Sequence, residues 1–194
     1  HQIFERREAD MNTIADINEL NKLVRNQLII QAELPSDRVR NALTTYGATL
    51  DKLLTKQEFD SVCPCEELML FELRTRENDG DVSMTEVDDT VSFYKSYTLY
   101  IILYGDNAAT IMNKLIARLR TQAVRQALYE EGVYIEEVKN DSSVNEFKND
   151  VMWHRHDTEI LISCKMSIKQ VTPDEAFEKV DPVNTIYEGD ENNE

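Results

Sequence analysis

"VSFYKSYTLYIILYGDNAATIMNKLIARLR", Val91 to Arg120, decides how the chain is read. Its first half alternates. Val91, Phe93, Tyr97, Leu99, Ile101 and Leu103 fall on one side of an extended chain, and Ser92, Tyr94, Ser96, Thr98, Tyr100, Ile102 and Tyr104 on the other. At about 3.4 Å per residue this run predicts a strand of about 48 Å, long for a globular protein. Its second face is rich in tyrosine, which predicts that part of it meets another surface. Gly105 breaks the strand and Asp106 is placed to cap a helix. Ile111, Met112, Leu115 and Leu119 then form a stripe that would lie on the sheet.

Working back towards the N-terminus, Ile14, Ile17, Leu20, Val24 and Leu28 recur at three and four residues, which predicts a helix from Asn12 to about Gln31, capped by Thr13 or Asn12. Pro35 and Ser36 start a second short helix with Val39, Ala42 and Leu43 on one face, and Gly47 ends it. Residues 48–65 read as mostly irregular. "EELMLFELRTR" follows as a strand apolar on most of both faces, with Leu68 and Leu70 on one and Met69, Phe71 and Leu73 on the other. Glu77 to Thr90 holds six carboxylates and no basic residue, so it reads as a solvated hairpin loop.

Towards the C-terminus, Thr121 restarts a shorter helix with Val124 and Leu128 apolar, ended by Gly132. "VYIEEV" returns as a strand. "KNDSSVNEFKND" reads as a polar loop, and from Asp157 to Val171 a half-buried strand alternates Ile160, Ile162, Cys164, Met166 and Ile168 against a wet face. The expected fold is α+β, a mainly antiparallel four-stranded sheet with helices on one face. It occupies a single domain, residues 1–171. From Thr172 the chain has eight carboxylates and one lysine and is read as an acidic arm, because it cannot pack a core of its own.

Charge narrows function. The 194 residues include 37 acidic and 21 basic side chains, a net charge of −16, and such a surface repels a nucleic-acid backbone. An acidic wall past which DNA slides without sticking is compatible with that charge. Three cysteines, Cys63, Cys65 and Cys164, make no disulfide framework and fit a reducing compartment. No apolar run approaches the roughly 20 residues that span a bilayer, and no signal-like segment is evident.

Chemistry is sparse. His154 and His156 in "WHRHD" would point to the same side of a strand and could share a metal with Cys63, Cys65 or an acid, although an HxH on a strand is more often a surface pair. "CPC" is spaced more tightly than zinc ligands usually are. "DGDVSMTEVDD" lacks the alternating ligands, the final Glu and the flanking helices of a calcium loop. Phosphate cradle, nucleophile elbow and HExxH are all missing, so an enzyme is disfavoured and neither a cofactor nor a metal is expected.

The order from Val91 to Val171 resembles the tail-terminator, or neck-terminator, proteins of long-tailed bacteriophages. The likeness rests on "LYIILYGDNA", the helix pair "ATIMNKLIARLRTQAVRQAL", the strand "VYIEEV" and the last strand after "WHRHDTEILISCKMSI", with "PSDRVRNAL" matching more loosely. The resemblance implies a structural virion protein, assembled in the bacterial cytoplasm, that forms a ring, usually of six copies. The ring caps the tail tube, stops its polymerisation, presents a surface to the head connector and lets DNA through; in a contractile tail the sheath would be a further neighbour. It brings no catalytic residues. On that reading Glu77, Asp79, Asp81, Asp88 and Asp89 are candidates for the lumen or the tube contact, and Tyr94, Tyr100 and Tyr104 for contacts between subunits. Two rivals stand beside it: another connector, head-completion or tube-like ring protein, and a metal-dependent enzyme built on His154 and His156.

Overall fold

The computed structural model describes residues 12–41, 66–76, 84–87, 89–148 and 151–169. Helix α1 spans Ile17–Ala32, α2 Ala108–Leu119 and α3 Gln122–Glu130. The strands are β1 (Val39–Asn41), β2 (Leu68–Thr75), β3 (Met84–Val87), β4 (Thr90–Tyr104), β5 (Val133–Val138), β6 (Ser142–Lys148) and β7 (Val151–Lys169). Among the described residues all seven strands belong to one sheet with the path β1-β2-β4-β7-β5, β3 lying beside β4 and β6 beside β7.

The fold is α+β, but the expectation of four strands was too small and the sheet is mixed. β1 runs parallel to β2, with Val39 opposite Met69, while the other strand pairs are antiparallel. Three segments account for the difference. Where the second short helix was expected, the described residues form one 3-10 turn, Ser36–Arg38, and Val39, β-branched and fully buried, is drawn into the sheet; Ala42, Leu43 and Gly47 lie outside the described residues. Part of the acidic hairpin loop is strand β3, in register with β4 from Met84 opposite Phe93 to Val87 opposite Thr90. The polar loop before the last strand is mostly β6, and β7 starts at Val151 instead of Asp157.

The long strand behaves as its alternation requires. Tyr97, Leu99, Ile101 and Leu103 of β4 join Ile160 and Ile162 of β7 and Met69 and Phe71 of β2 in one core. Onto this face the helices lay Leu20, Val24 and Leu28 from α1, Met112, Leu115 and Ile116 from α2, and Leu128 from α3. Each such side chain removed from water contributes about 1.5–3 kcal/mol, so this layer holds the domain together.

Helix starts differ in detail from the expectation. Asp16, not Thr13 or Asn12, caps α1: its carboxylate accepts from the backbone N–H of Asn18 at 2.7 Å and Glu19 at 2.8 Å. Glu19 reaches back to accept from the N–H of Ala15, the residue before the cap, at 2.7 Å. Asp106 does not cap α2. Gly105, at φ 124°, turns the chain so that the cap position falls on Asn107, whose side-chain amide donates to Glu67 Oε1 at 2.7 Å. Thr121, read as the restart of the shorter helix, is the cap of α3 and accepts from Val124 N–H.

Candidate functional site

β7 outruns its neighbours. Its last partner on β4 is Tyr104, opposite Arg155, after which, among the described residues, only β6 continues beside it. Residues 145–148 and 151–154 therefore form a two-stranded ribbon beyond the main sheet. Phe147 lies opposite Met152 on one face of the ribbon, and both stay open to solvent, at 67% and 48% exposure. Together they make a small exposed apolar pair near the end of the ribbon.

The other face of the ribbon is tied down. Glu146 sits opposite Trp153, and Val144 opposite Arg155. Arg155, buried, donates from Nε to Asp157 Oδ1 and from Nη2 to Asp157 Oδ2, both at 2.6 Å, and from Nη1 to Glu146. Burial draws the Arg155 guanidinium down, but the bonds to Asp157 and Glu146 outweigh it and hold the group above its ordinary value. Tyr104 donates its hydroxyl to Glu146 Oε1 at 3.1 Å and meets the Trp153 ring edge-on, with centroids 6.3 Å apart.

Tyr104 was expected at a contact between subunits. It has no exposed surface in the chain, so it belongs to this internal cluster. Burial pushes its phenol well above the ordinary range, against the opposing pull of Arg155. Tyr100 and Tyr94 are half-buried on the sheet face away from the helices. The Arg74 guanidinium lies 4.6 Å from the Tyr100 ring centre and pairs with Glu72 at 2.8 Å. Further along this face Arg76 pairs with Glu136 at 2.7 Å, and Ser163 joins Glu136 to Ser96.

The opposite end of β7 carries a second apolar patch. Ile168 is 56% exposed and Met84 of β3 67% exposed, and both project from the strand face that carries Phe93 and Val91. The turn between β3 and β4 holds Asp89, exposed and in the left-handed region at φ 59°. Of the other acidic candidates, Glu77, Asp79, Asp81 and Asp88 lie outside the described residues, as does the C-terminal arm.

His154 and His156 do share one strand face, as their spacing requires, but each has its own local partner. His156 Nδ1 lies 2.7 Å from Asp141 Oδ2, and His154 Nδ1 lies 3.3 Å from Asn145 Oδ1. Among the described residues no group of three or more His, Cys, Asp or Glu converges as a metal site would require. Cys63 and Cys65 lie outside them. Cys164 is buried in the core, and burial pushes its thiol up to about 12.

The model of one protein family, described as phage neck terminator protein, matches residues 68–192. The chain belongs to this family. The matched span opens on the first residue of β2 and takes in β2 to β7 with α2 and α3, so it contains the ribbon, the Arg155 cluster and both apolar patches. Helix α1 and β1 precede it. No curated protein matches the chain significantly. The family is one of structural phage proteins, which places the chain in the neck of the virion, in association with other tail and head proteins. Among the described residues no helix is long and apolar enough to cross a membrane.

The ribbon is the feature that sequence reading missed. "SSVNEFK" and "VMWHRHD" flank Asn149 and Asp150, two turn-favouring residues, and this was the available signal for a hairpin.

Proposed function

We propose that this neck terminator works as a ring of six copies seated on the head-proximal end of the tail tube. The ring stops tube polymerisation, joins the tube to the head connector and leaves a channel for DNA. The observation that carries this reading is the pair of unlike apolar patches at the two ends of β7. Met152 and Ile168 are an even number of residues apart, hence on one strand face, and about 53 Å apart along an extended strand. A closed ring needs a heterologous contact, one patch meeting a different patch on the next copy. The Phe147–Met152 tip of one copy and the Met84–Ile168 end of its neighbour supply such a combination. Tyr94 and Tyr100 are proposed as further contact residues on the open sheet face.

The acidic turn at Asp89, with Glu77, Asp79, Asp81 and Asp88, is assigned to the lumen or the tube contact. Carboxylates there keep DNA from adhering as it passes. The C-terminal arm from Thr172 is assigned to a contact with a neighbouring copy. Partners are then the tube protein, the head connector and, where the tail contracts, the sheath.

The test is the mass of the purified protein across a concentration series. Six chains of 22.5 kDa make a particle of about 135 kDa, which is the predicted end state. Phe147→Asp with Met152→Asp should block it while leaving the circular dichroism spectrum and the melting transition unchanged. Rings that form normally from the double variant would refute the contact.

A further inference from the structure

We propose that Arg155, with Glu146, Asp157 and Tyr104, is a built-in joint that fixes the direction of the β6–β7 ribbon, so that the arm is preformed before it meets any partner. A lone two-stranded ribbon is marginal in water and twists freely. This one leaves the sheet at a single place, between the Tyr104–Arg155 pair and the next step, where Gly105 N–H donates to His154 O at 3.2 Å. The ion cluster sits at that place. Arg155 and Glu146 keep only 7% and 12% of their side-chain surface, and Asp157 27%.

Three strands supply the four residues of the cluster. Glu146 comes from β6, Arg155 and Asp157 from β7, and Tyr104 from the end of β4. Both Asp157 oxygens are taken by the Arg155 fork, which fixes the plane of the guanidinium. Its remaining arm then has one direction in which to hold Glu146, and the Tyr104 hydroxyl meets the same Glu146 oxygen. A buried ion group of this kind adds little net stability over an apolar replacement, because desolvation offsets the attraction. What it supplies is orientation: a ribbon swung away from the line of β4 would break Glu146 from both partners at once. The opposite ribbon face carries the His154–Asn145 contact but no ion pair among the described residues, and its Phe147–Met152 pair stays exposed.

Amide hydrogen exchange on the purified full chain tests this apart from ring formation. At two concentrations, one below and one above that of assembly, the ribbon amides of residues 145–148 and 151–154 should be protected at both. Protection present only at the higher concentration would overturn the joint and leave the ring contact standing. The variant Glu146→Gln/Arg155→Met/Asp157→Asn removes every charge in the cluster. It is expected to raise exchange in the ribbon at least tenfold, with the β2, β4 and β7 core amides changed less than twofold. Unchanged ribbon exchange, or equal acceleration in ribbon and core, would overturn the proposal. Arg155→Lys keeps the charge and loses the fork; ribbon exchange should rise here too, and wild-type rates in this variant would count against the fork.

Discussion

Gly105→Ala should be among the most damaging single substitutions in the chain. Gly105 ends β4 at φ 124°, where an L side chain is strained, and a Cβ there would lie 2.9 Å from Glu67 Cα, 3.0 Å from Glu67 N and 3.1 Å from Glu66 O. All three are backbone atoms, next to β2, so no flexible side chain can yield. The strained backbone costs about 1–3 kcal/mol. Overpacking a filled position adds about 1–3 kcal/mol. The combined loss of about 2–6 kcal/mol is a large share of the roughly 5–15 kcal/mol that stabilises a typical domain. With a urea slope of about 2 kcal/mol/M, the unfolding midpoint should fall by about 1–3 M at constant slope. A fall below about 0.5 M would refute both the turn conformation and the close approach of the Glu66–Glu67 backbone.

Three further outcomes follow from the same structure. Leu115→Ala opens a cavity at a fully buried position of α2 and should cost about 2–5 kcal/mol by urea unfolding, whereas less than about 1 kcal/mol would mean the stripe does not face the sheet. Glu33, bonded by Lys114 and then Arg118, has its carboxyl lowered from 4.5 to about 2. Because the folded value is the lower one, the stabilisation from this group is present above pH 4.5 and is lost as pH falls through about 2. A carbon-13 titration of its carboxyl with a midpoint near the ordinary 4.5 would remove the link between α1 and α2. Cys164, with its thiol pushed up to about 12, should resist a thiol reagent in the native protein and react on unfolding, as read by mapping the labelled peptide; native labelling would show that the core opens at β7.

β4 and α2 were legible in sequence because each buries one face, and a single buried face writes a period into the residues. Tyr97, Leu99, Ile101 and Leu103 spell a strand, and Met112, Leu115 and Leu119 a helix. β6 was illegible for the converse reason: Ser142 to Asn145 and Phe147 are exposed, so neither face imposes alternation. β1 is three residues long, too short for any period, and its place is set by pairing with Met69. The Arg155 cluster could not be read from spacing. Glu146 meets Arg155 only through the register of β6 on β7, and Tyr104 joins them from a strand about fifty residues earlier. The same topology explains Tyr104: alternation put it correctly on the second face, but local pattern could not tell that Trp153 would close over it.

The claim that the chain terminates the tail tube is met most directly by imaging tubes assembled with and without it. Cryo-electron microscopy of the head-proximal ends should show, with the protein present, tubes of one length closed by a sixfold ring of about 135 kDa, six times the 22.5 kDa chain. Without it the tubes should run past that length and end uncapped. Identical lengths and ends in both preparations, or protein bound along the flank of the tube and not at its end, would contradict the account.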